Sequence, residues 1–463
     1  MNYDLLNAIN NAIWSYVVIT MLVGCAIYFT WNLRAVQFTM LPTMIRNLFK
    51  PSDETFEKIG KKKVSSFQAF AISLSSRVGT GNLAGVASAI FVGGPGAVFW
   101  MWVMALLGAS TAFMEATLAQ LFKRKGKVSF YGGPAYYMKY GLKRPWMGVL
   151  FACLIIFGFG MANQLVQSNT LCDAISDNLH IPINYVAMVI ALMTLIIIFG
   201  GIQRIALFCA WIVPFMALGY LLLAIYILLI NITEIPAMLS LIIRSAFGWE
   251  QAAGGAVGVA IMQGIRRGLF SNEAGEGSAP NAAATATIDH PVTQGLLQSL
   301  GVFTDTLVIC TCTAFIILLS GLYTENYDGI ILTSHAMEHH LGSFGSWFLL
   351  AAIFLFAYST IIANYFYGET NVRYICDKPW AVFIFRLISG VVVLLGGYMT
   401  LQQTWSIVDL AMAFMTILNL IAVVMLSKYS FRLLQDYQKQ RKEGKEPVFH
   451  KEMFPEANLE AWD

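Results

Sequence analysis

Charge is what this chain has least of. Asp, Glu, Lys and Arg make up 12% of its 463 residues, about half the roughly 25% of an ordinary soluble domain. So few charges cannot clothe the surface of a soluble protein this long. Its seven cysteines are scattered, and no two of them form a C-x-x-C pair. That removes a disulfide framework and a zinc-ribbon spacing, and the cysteines read as small apolar packing residues. There is no G-x-S-x-G elbow and no H-E-x-x-H helix, which argues against an intramembrane hydrolase or zinc protease. The opening MNYDLLNAINNA lacks a basic n-region and a small-x-small cleavage site. The first apolar run is therefore expected to be a retained anchor.

Hydrophobic residues fill the space that charge leaves. They are 57% of the chain, mostly in runs of roughly 18 residues or more, enough to cross about 30 Å of hydrocarbon. The sequence predicts an all-α polytopic membrane protein with eleven transmembrane helices. They are placed at 11–33, 64–93, 95–122, 145–172, 182–201, 205–231, 250–286, 292–321, 345–370, 379–398 and 404–428. Arg34, Arg46, Lys50, Lys58 and Lys61, Lys62 and Lys63 crowd the first loop. Lys123, Arg124, Lys125, Lys127, Lys139, Lys143 and Arg144 fall in the third, and Arg204, Arg373 and Lys378 in later odd-numbered loops. Asp173, Asp177, Glu325 and Asp328 mark even-numbered loops. By the positive-inside rule the N-terminus is expected outside the cell membrane and the C-terminus in the cytoplasm. The lysine run at 61–63 enforces that rule, with contact to anionic lipid as an addition. The last residues, 429–463, read as a solvated tail without chemistry.

Two spans are interrupted. Residues 75–85 read SSRVGTGNLAG, in the middle of an apolar run rather than after a strand. The third glycine comes one position late for a dinucleotide fingerprint. Glycine, serine and asparagine weaken a helix at bilayer depth and free backbone groups that need partners. Small-xxx-small packing at Gly81 and Gly85 is the plainer alternative. Against it stands a second break, Arg266 and Arg267 followed by GLFSNEAGEGSAP. The two breaks lie five spans apart, so the five-span units 64–231 and 250–428 have opposite orientations, behind an extra N-terminal segment, 1–63. Inverted repeats that each hold a discontinuous helix point to a secondary transporter with a midplane site. A channel also uses broken helices, but it does not need them paired and inverted. Freed amides suit a carboxylate, and unwound carbonyls with hydroxyls suit a hard cation such as sodium.

Six stretches carry a resemblance: SSRVGTGNLAGV (75–86), GGPGAVFWMW (93–102), QRI (203–205), RGLFSNEAGEGSAPNAAA (267–284), GVFTDTLVICT (301–311) and FAYSTIIANYFYGE (356–369). Through them the chain resembles the alanine or glycine:cation symporter family. The resemblance implies a leucine-transporter-like fold of two inverted five-helix repeats, with discontinuous first and sixth core helices. It also implies sodium-coupled uptake of a small neutral amino acid. Thr80, Gly81 and Asn82 match the unwound part of the first core helix, and Phe270, Ser271 and Asn272 the break in the sixth. Gln167 matches a substrate-facing glutamine. Ser359 and Thr360 match the hydroxyl pair that coordinates sodium, opposite carbonyls near Ser75 and Val78. Many alanine carriers of the family have Trp after I-I-G, where this chain has IIAN and Asn364. That departure bears on substrate size and opens the alternative of a longer amide substrate, glutamine or asparagine.

The implied partners are the amino acid, the sodium ion and the bilayer, with no nucleic acid, and the chain is expected to work as a monomer. Arg77, Arg266, Arg267, Glu115, Glu273, Glu276 and Asp305 read as structural or gating ion pairs near the cytoplasmic halves. Trp100, Trp102, Trp347 and Trp405 read as an interfacial belt. His335, Glu338, His339 and His340 read as an exposed loop rather than a zinc site.

Overall fold

The computed structural model describes residues 3–49, 64–126, 129–248 and 254–462. Lys50, Lys58, Lys61, Lys62, Lys63 and Lys127 lie outside the described residues.

Helix α1 is Ala8–Asn32. Ser66–Arg77 (α2) and Gly81–Gly93 (α3) follow, then Gly96–Leu121 (α4), Pro145–Leu179 (α5), Ile183–Ile198 (α6) and Gly201–Ile230 (α7). Ile235–Ala246 (α8) leads to Gly254–Asn272 (α9) and the single turn Pro280–Ala283 (α10). Val292–Ser320 (α11), Gly329–Leu341 (α12), Ser343–Ile375 (α13), Pro379–Gly396 (α14) and Gln402–Lys442 (α15) follow. Short helices at Val36–Thr39, Leu41–Leu48 and Pro134–Tyr140 lie in the connections. A short antiparallel ribbon pairs Arg124 with Tyr131 and Lys125 with Phe130.

Eight described helices are long and apolar enough to cross a membrane: α1, α4, α5, α7, α11, α13, α14 and α15. Two of the other expected spans are split, as their glycine-rich breaks predict, and a third is shorter. The 64–93 span is split into α2 and α3, and the 250–286 span into α9 and α10. The 182–201 span shortens to α6, whose 16 residues reach about 24 Å at 1.5 Å per residue. Helix α8 lies in a stretch read as a loop, and it packs on α4.

The breaks follow from local chemistry. A capping box, with Ser65 Oγ accepting from the Gln68 amide and Gln68 Oε1 from the Ser65 amide, starts α2. It ends at Val78, whose ψ of 83° leaves the helical region. Helix α9 ends where Glu273, Gly275 and Gly277 take φ of 57°, 103° and 80°, and Pro280 then opens α10. Helix α9 lies along α3, and α10 along α2. The first half of each interrupted helix thus sits beside the second half of the other. Helix α9 also approaches α4 closely where a side chain is missing: a Cβ on Gly264 would collide with the Ala97 carbonyl oxygen.

The outer surface is apolar. On α7, Trp211 is 76% and Phe215 75% exposed, with Leu207, Leu218 and Leu222 beside them, a face made for hydrocarbon rather than water. Trp347 is likewise exposed, but Trp405 is buried and packs inside. The expected belt therefore loses Trp405.

The tail differs most from expectation. Helix α15 runs on to Lys442, and Phe449, Phe454, Leu459 and Trp462 beyond it are buried. Trp462 Nε1 donates to the carbonyls of Gln120 (3.2 Å) and Leu121 (3.1 Å) at the end of α4. The Phe449 amide donates to the Asp289 carbonyl at 2.9 Å, and Arg124 donates to Asn458 and Glu460. The tail is docked rather than solvated, because four large apolar side chains find cover.

Candidate functional site

The two breaks meet in the interior. A Cβ on Gly81 would stand 2.9 Å from the Phe270 ring and 3.3 Å from Ser271 Cα, so only glycine lets the second interrupted helix come this close. Wide π turns at Gly81–Gly85, Gly158–Asn163 and Phe303–Cys310 surround the meeting point. Such turns loosen the regular hydrogen-bond ladder where side chains converge.

Asp305 links the breaks. Its Oδ1 accepts from Asn82 Nδ2 at 2.7 Å, and its Oδ2 from Ser271 Oγ at 2.8 Å and Thr306 Oγ1 at 2.9 Å. Asn82 Oδ1 turns back to the Gly79 amide (2.9 Å), which shapes the unwound turn. Asn272 donates to Thr306 Oγ1 (3.1 Å) and accepts from the Ala274 amide (3.0 Å). The Cys310 thiol sits within reach of both Asn82 and Ser271. The sequence presents Cys310 as a packing residue and Asp305 as one charge among several, and neither place in this network follows from spacing alone.

Gln167 reaches the first break from α5. Its Oε1 accepts from the Thr80 amide at 3.0 Å, while its Nε2 donates to Asn163 Oδ1 at 2.9 Å. The Thr80 hydroxyl is buried with no partner among the described residues. Asn364, on α13, is also buried. Its Oδ1 faces Ser76 Oγ at 2.7 Å, and its Nδ2 has no partner among the described residues. Ser76 also bonds to Glu273, which Ser278 contacts in turn.

Thr360 stands where α2 unwinds. Its Oγ1 is 2.7 Å from the Ser75 carbonyl, 3.3 Å from that of Val78 and 2.9 Å from that of Phe356. One hydroxyl proton cannot serve three acceptors, so these oxygens form an electron-rich cluster. A Cβ on Gly79 would meet Thr360 Oγ1 at 2.5 Å, so the cluster also depends on a missing side chain. Ser359 does not join it. The Ser359 hydroxyl donates to the Phe356 carbonyl at 3.0 Å and faces Met216 sulfur.

The charged residues pair differently from expectation. Arg266 and Arg267 both turn to Asp409 on α15, at 2.6 and 3.3 Å. The Arg267 guanidinium lies 4.0 Å over the Trp405 ring, and Trp405 packs edge-on against Phe270 at 4.4 Å. This group closes the side from which α9 enters. Toward the opposite side, Glu115 accepts from the Gly275 amide and from Asn419, which also accepts from Tyr137. Arg77 donates to the Gln298 carbonyl at 3.2 Å. The expected outer loop holds α12 instead, with Leu332, Ala336 and Met337 buried and His340 on the Ile316 carbonyl.

Two interrupted helices, packed around buried polar groups inside a lipid-facing helical shell, define a membrane transporter. The chain belongs to the sodium:alanine symporter family, whose model matches residues 1–451. A probable sodium/glutamine symporter of Bacillus subtilis is 47% identical, over 98% of this chain and 94% of that protein. The amino-acid carrier protein AlsT of the same organism is 45% identical, over 99% of this chain and 97% of its own length. A sodium/proton-dependent alanine carrier of Bacillus sp. (strain PS3) is 36% identical, over 88% of this chain and 96% of that one. Among solved structures, a manganese transporter of Eremococcus coleocola aligns over 87% of this chain and 85% of its own at a TM-score of 0.49 and 13% identity. The family and these relatives are transporters, not enzymes.

Proposed function

We propose that this protein is a sodium-coupled symporter that brings a small neutral amino acid of the alanine and glycine class into the cell. It works as a monomer with eleven transmembrane helices, N-terminus outside and C-terminus cytoplasmic. Residues 64–231 and 250–428 are its two inverted five-helix repeats, behind an extra segment at 1–63 and ahead of the tail at 429–463. The carrying observation is the oxygen cluster of Ser75, Val78 and Thr360 at the unwound end of α2. A hard cation takes oxygen ligands, and sodium takes the place of the hydrogen bond that now holds the cluster. The Thr360 hydroxyl keeps its proton, turns it outward and offers a lone pair. Ser359 completes the set by a rotamer change. The substrate carboxylate takes over the Thr80 amide from Gln167, with Gly81 and Asn82 beside it. Phe270, Ser271 and Asn272 form the facing wall.

A second reading concerns size. Asn364 presents a buried amide, close to the first break, whose donor has no partner among the described residues, and the 47% identical relative is named for glutamine. A site built around an unpaired donor favours a substrate that bonds to it, which makes glutamine or asparagine the alternative substrates. The test is uptake by the purified protein in vesicles, screened over the neutral amino acids with sodium or proton gradients. Uptake driven by sodium and competed by free acids but not by alaninamide is expected. Uptake that ignores sodium overturns the reading.

A further inference from the structure

We infer that the end of α15 carries a binding site for the headgroup of an anionic phospholipid. A cavity of about 420 Å³ opens there, lined by Lys428, Tyr429, Phe431, Arg432, Phe454 and Glu456. Lys428 and Arg432 are one helical turn apart, so both project on one face. Ile421, Val424 and Met425 continue that face into the apolar span, each 38 to 48% exposed. The stripe thus passes from hydrocarbon-facing side chains to two cations within two turns, which is the order of an acyl chain and its phosphate.

The cavity is built, not merely charged. Phe454 from the docked tail packs edge-on against Tyr429 at 4.9 Å, and Phe431 packs against Tyr28 of α1 at 6.1 Å. Glu456 hydrogen-bonds with the Tyr429 hydroxyl, which turns the one carboxylate of the lining toward an aromatic wall. Two cations against one carboxylate leave a lining of net positive charge, complementary to a headgroup of net negative charge. A guanidinium takes two phosphate oxygens side by side, and an ammonium takes a third as a point charge. The stripe below favours a phosphate attached to acyl chains over free phosphate. This inference needs only that the chain is membrane-embedded, and stands apart from the choice of substrate or coupling ion.

Native mass spectrometry of the full-length protein in detergent tests it, with phosphatidylglycerol and phosphatidylethanolamine added in equal amounts. Preferential retention of phosphatidylglycerol is expected. A Lys428→Gln/Arg432→Gln variant should lose that retention about thirtyfold, on the scale of two basic residues at a lipid surface. Removing the same charge elsewhere on the helix, in Lys439→Gln/Lys442→Gln, should leave it intact. Glu456→Gln should strengthen retention, a gain that misfolding does not produce. Equal retention of both lipids, equal loss in both double variants, or displacement by inorganic phosphate alone would overturn the site.

Discussion

At the scale of single residues, Thr360 and Ser359 look interchangeable in the sequence and are not in space. Thr360 faces the unwound carbonyls, whereas Ser359 bonds back to its own helix. Thr360→Ala should therefore raise the sodium concentration for half-maximal uptake by roughly tenfold, the worth of one good polar contact. Thr360→Ser should recover most of it, and Ser359→Ala should shift the half-point less. An unchanged half-point in Thr360→Ala would move the cation elsewhere. Asn364 invites a separate measurement. Asn364→Trp fills the space beside Ser76 with an indole, so it should abolish any glutamine or asparagine transport and spare alanine or glycine. Competition assays with each amino acid decide it: if the wild type ignores both amides, the alanine-sized pocket stands.

At the scale of elements, the two breaks were legible because runs of Gly, Ser and Asn are foreign to an apolar span. What each break touches was not. Asp305 lies 34 residues beyond Ser271 and 223 beyond Asn82, and only tertiary packing joins them. The role of Asp409 is hidden for the same reason, since nothing near it in the chain announces two arginines. The tail does carry a signal in its sequence. Phe449, Phe454, Leu459 and Trp462 recur every few residues in a polar extension, which is the pattern of anchors. One anchor point is titratable. His290 packs against the Tyr437 and Phe449 rings, 3.3 Å from Asp436, which also faces His450. Burial pulls the imidazole below its ordinary 6.5, against the opposing pull of Asp436. A histidine held neutral stabilises the docked tail above that ordinary value, and the contribution is lost as pH falls through the lowered one. Amide exchange across the tail should be slow at neutral pH and faster, after correction for intrinsic rates, near about pH 5. His290→Gln, which cannot charge, should remove the difference. Equal protection of the wild type at both values would show that the ring does not control docking.

At the scale of the whole molecule, the buried centre is closed on two sides by unlike materials. On the side where α9 enters, the seal is electrostatic and aromatic: Asp409 with two guanidiniums, Trp405 under one of them, and Phe270 against Trp405. On the side where α2 enters, it is a network of hydrogen bonds through Glu115, Asn419 and Tyr137, with the tail laid over the end of α4. In the proposed topology the first seal faces outside. A buried pair holds only while both charges are present, and losing one partner costs roughly 3–5 kcal/mol. Asp409→Asn keeps the shape and removes the charge, so it should favour opening on that side. A shift of only about 1.4 kcal/mol changes the open population tenfold. Cys310 reports it directly, because its thiol lies between Asn82 and Ser271 and is buried in the closed centre. A membrane-impermeant thiol reagent should modify Cys310 at least about tenfold faster in Asp409→Asn than in the wild type. That gain should appear only when the reagent is applied from outside, and sodium with substrate should suppress it. Cys310→Ser supplies the background from the other cysteines. An unchanged rate would mean that Asp409 braces the fold without gating it, and faster modification from the cytoplasmic side alone would invert the proposed topology.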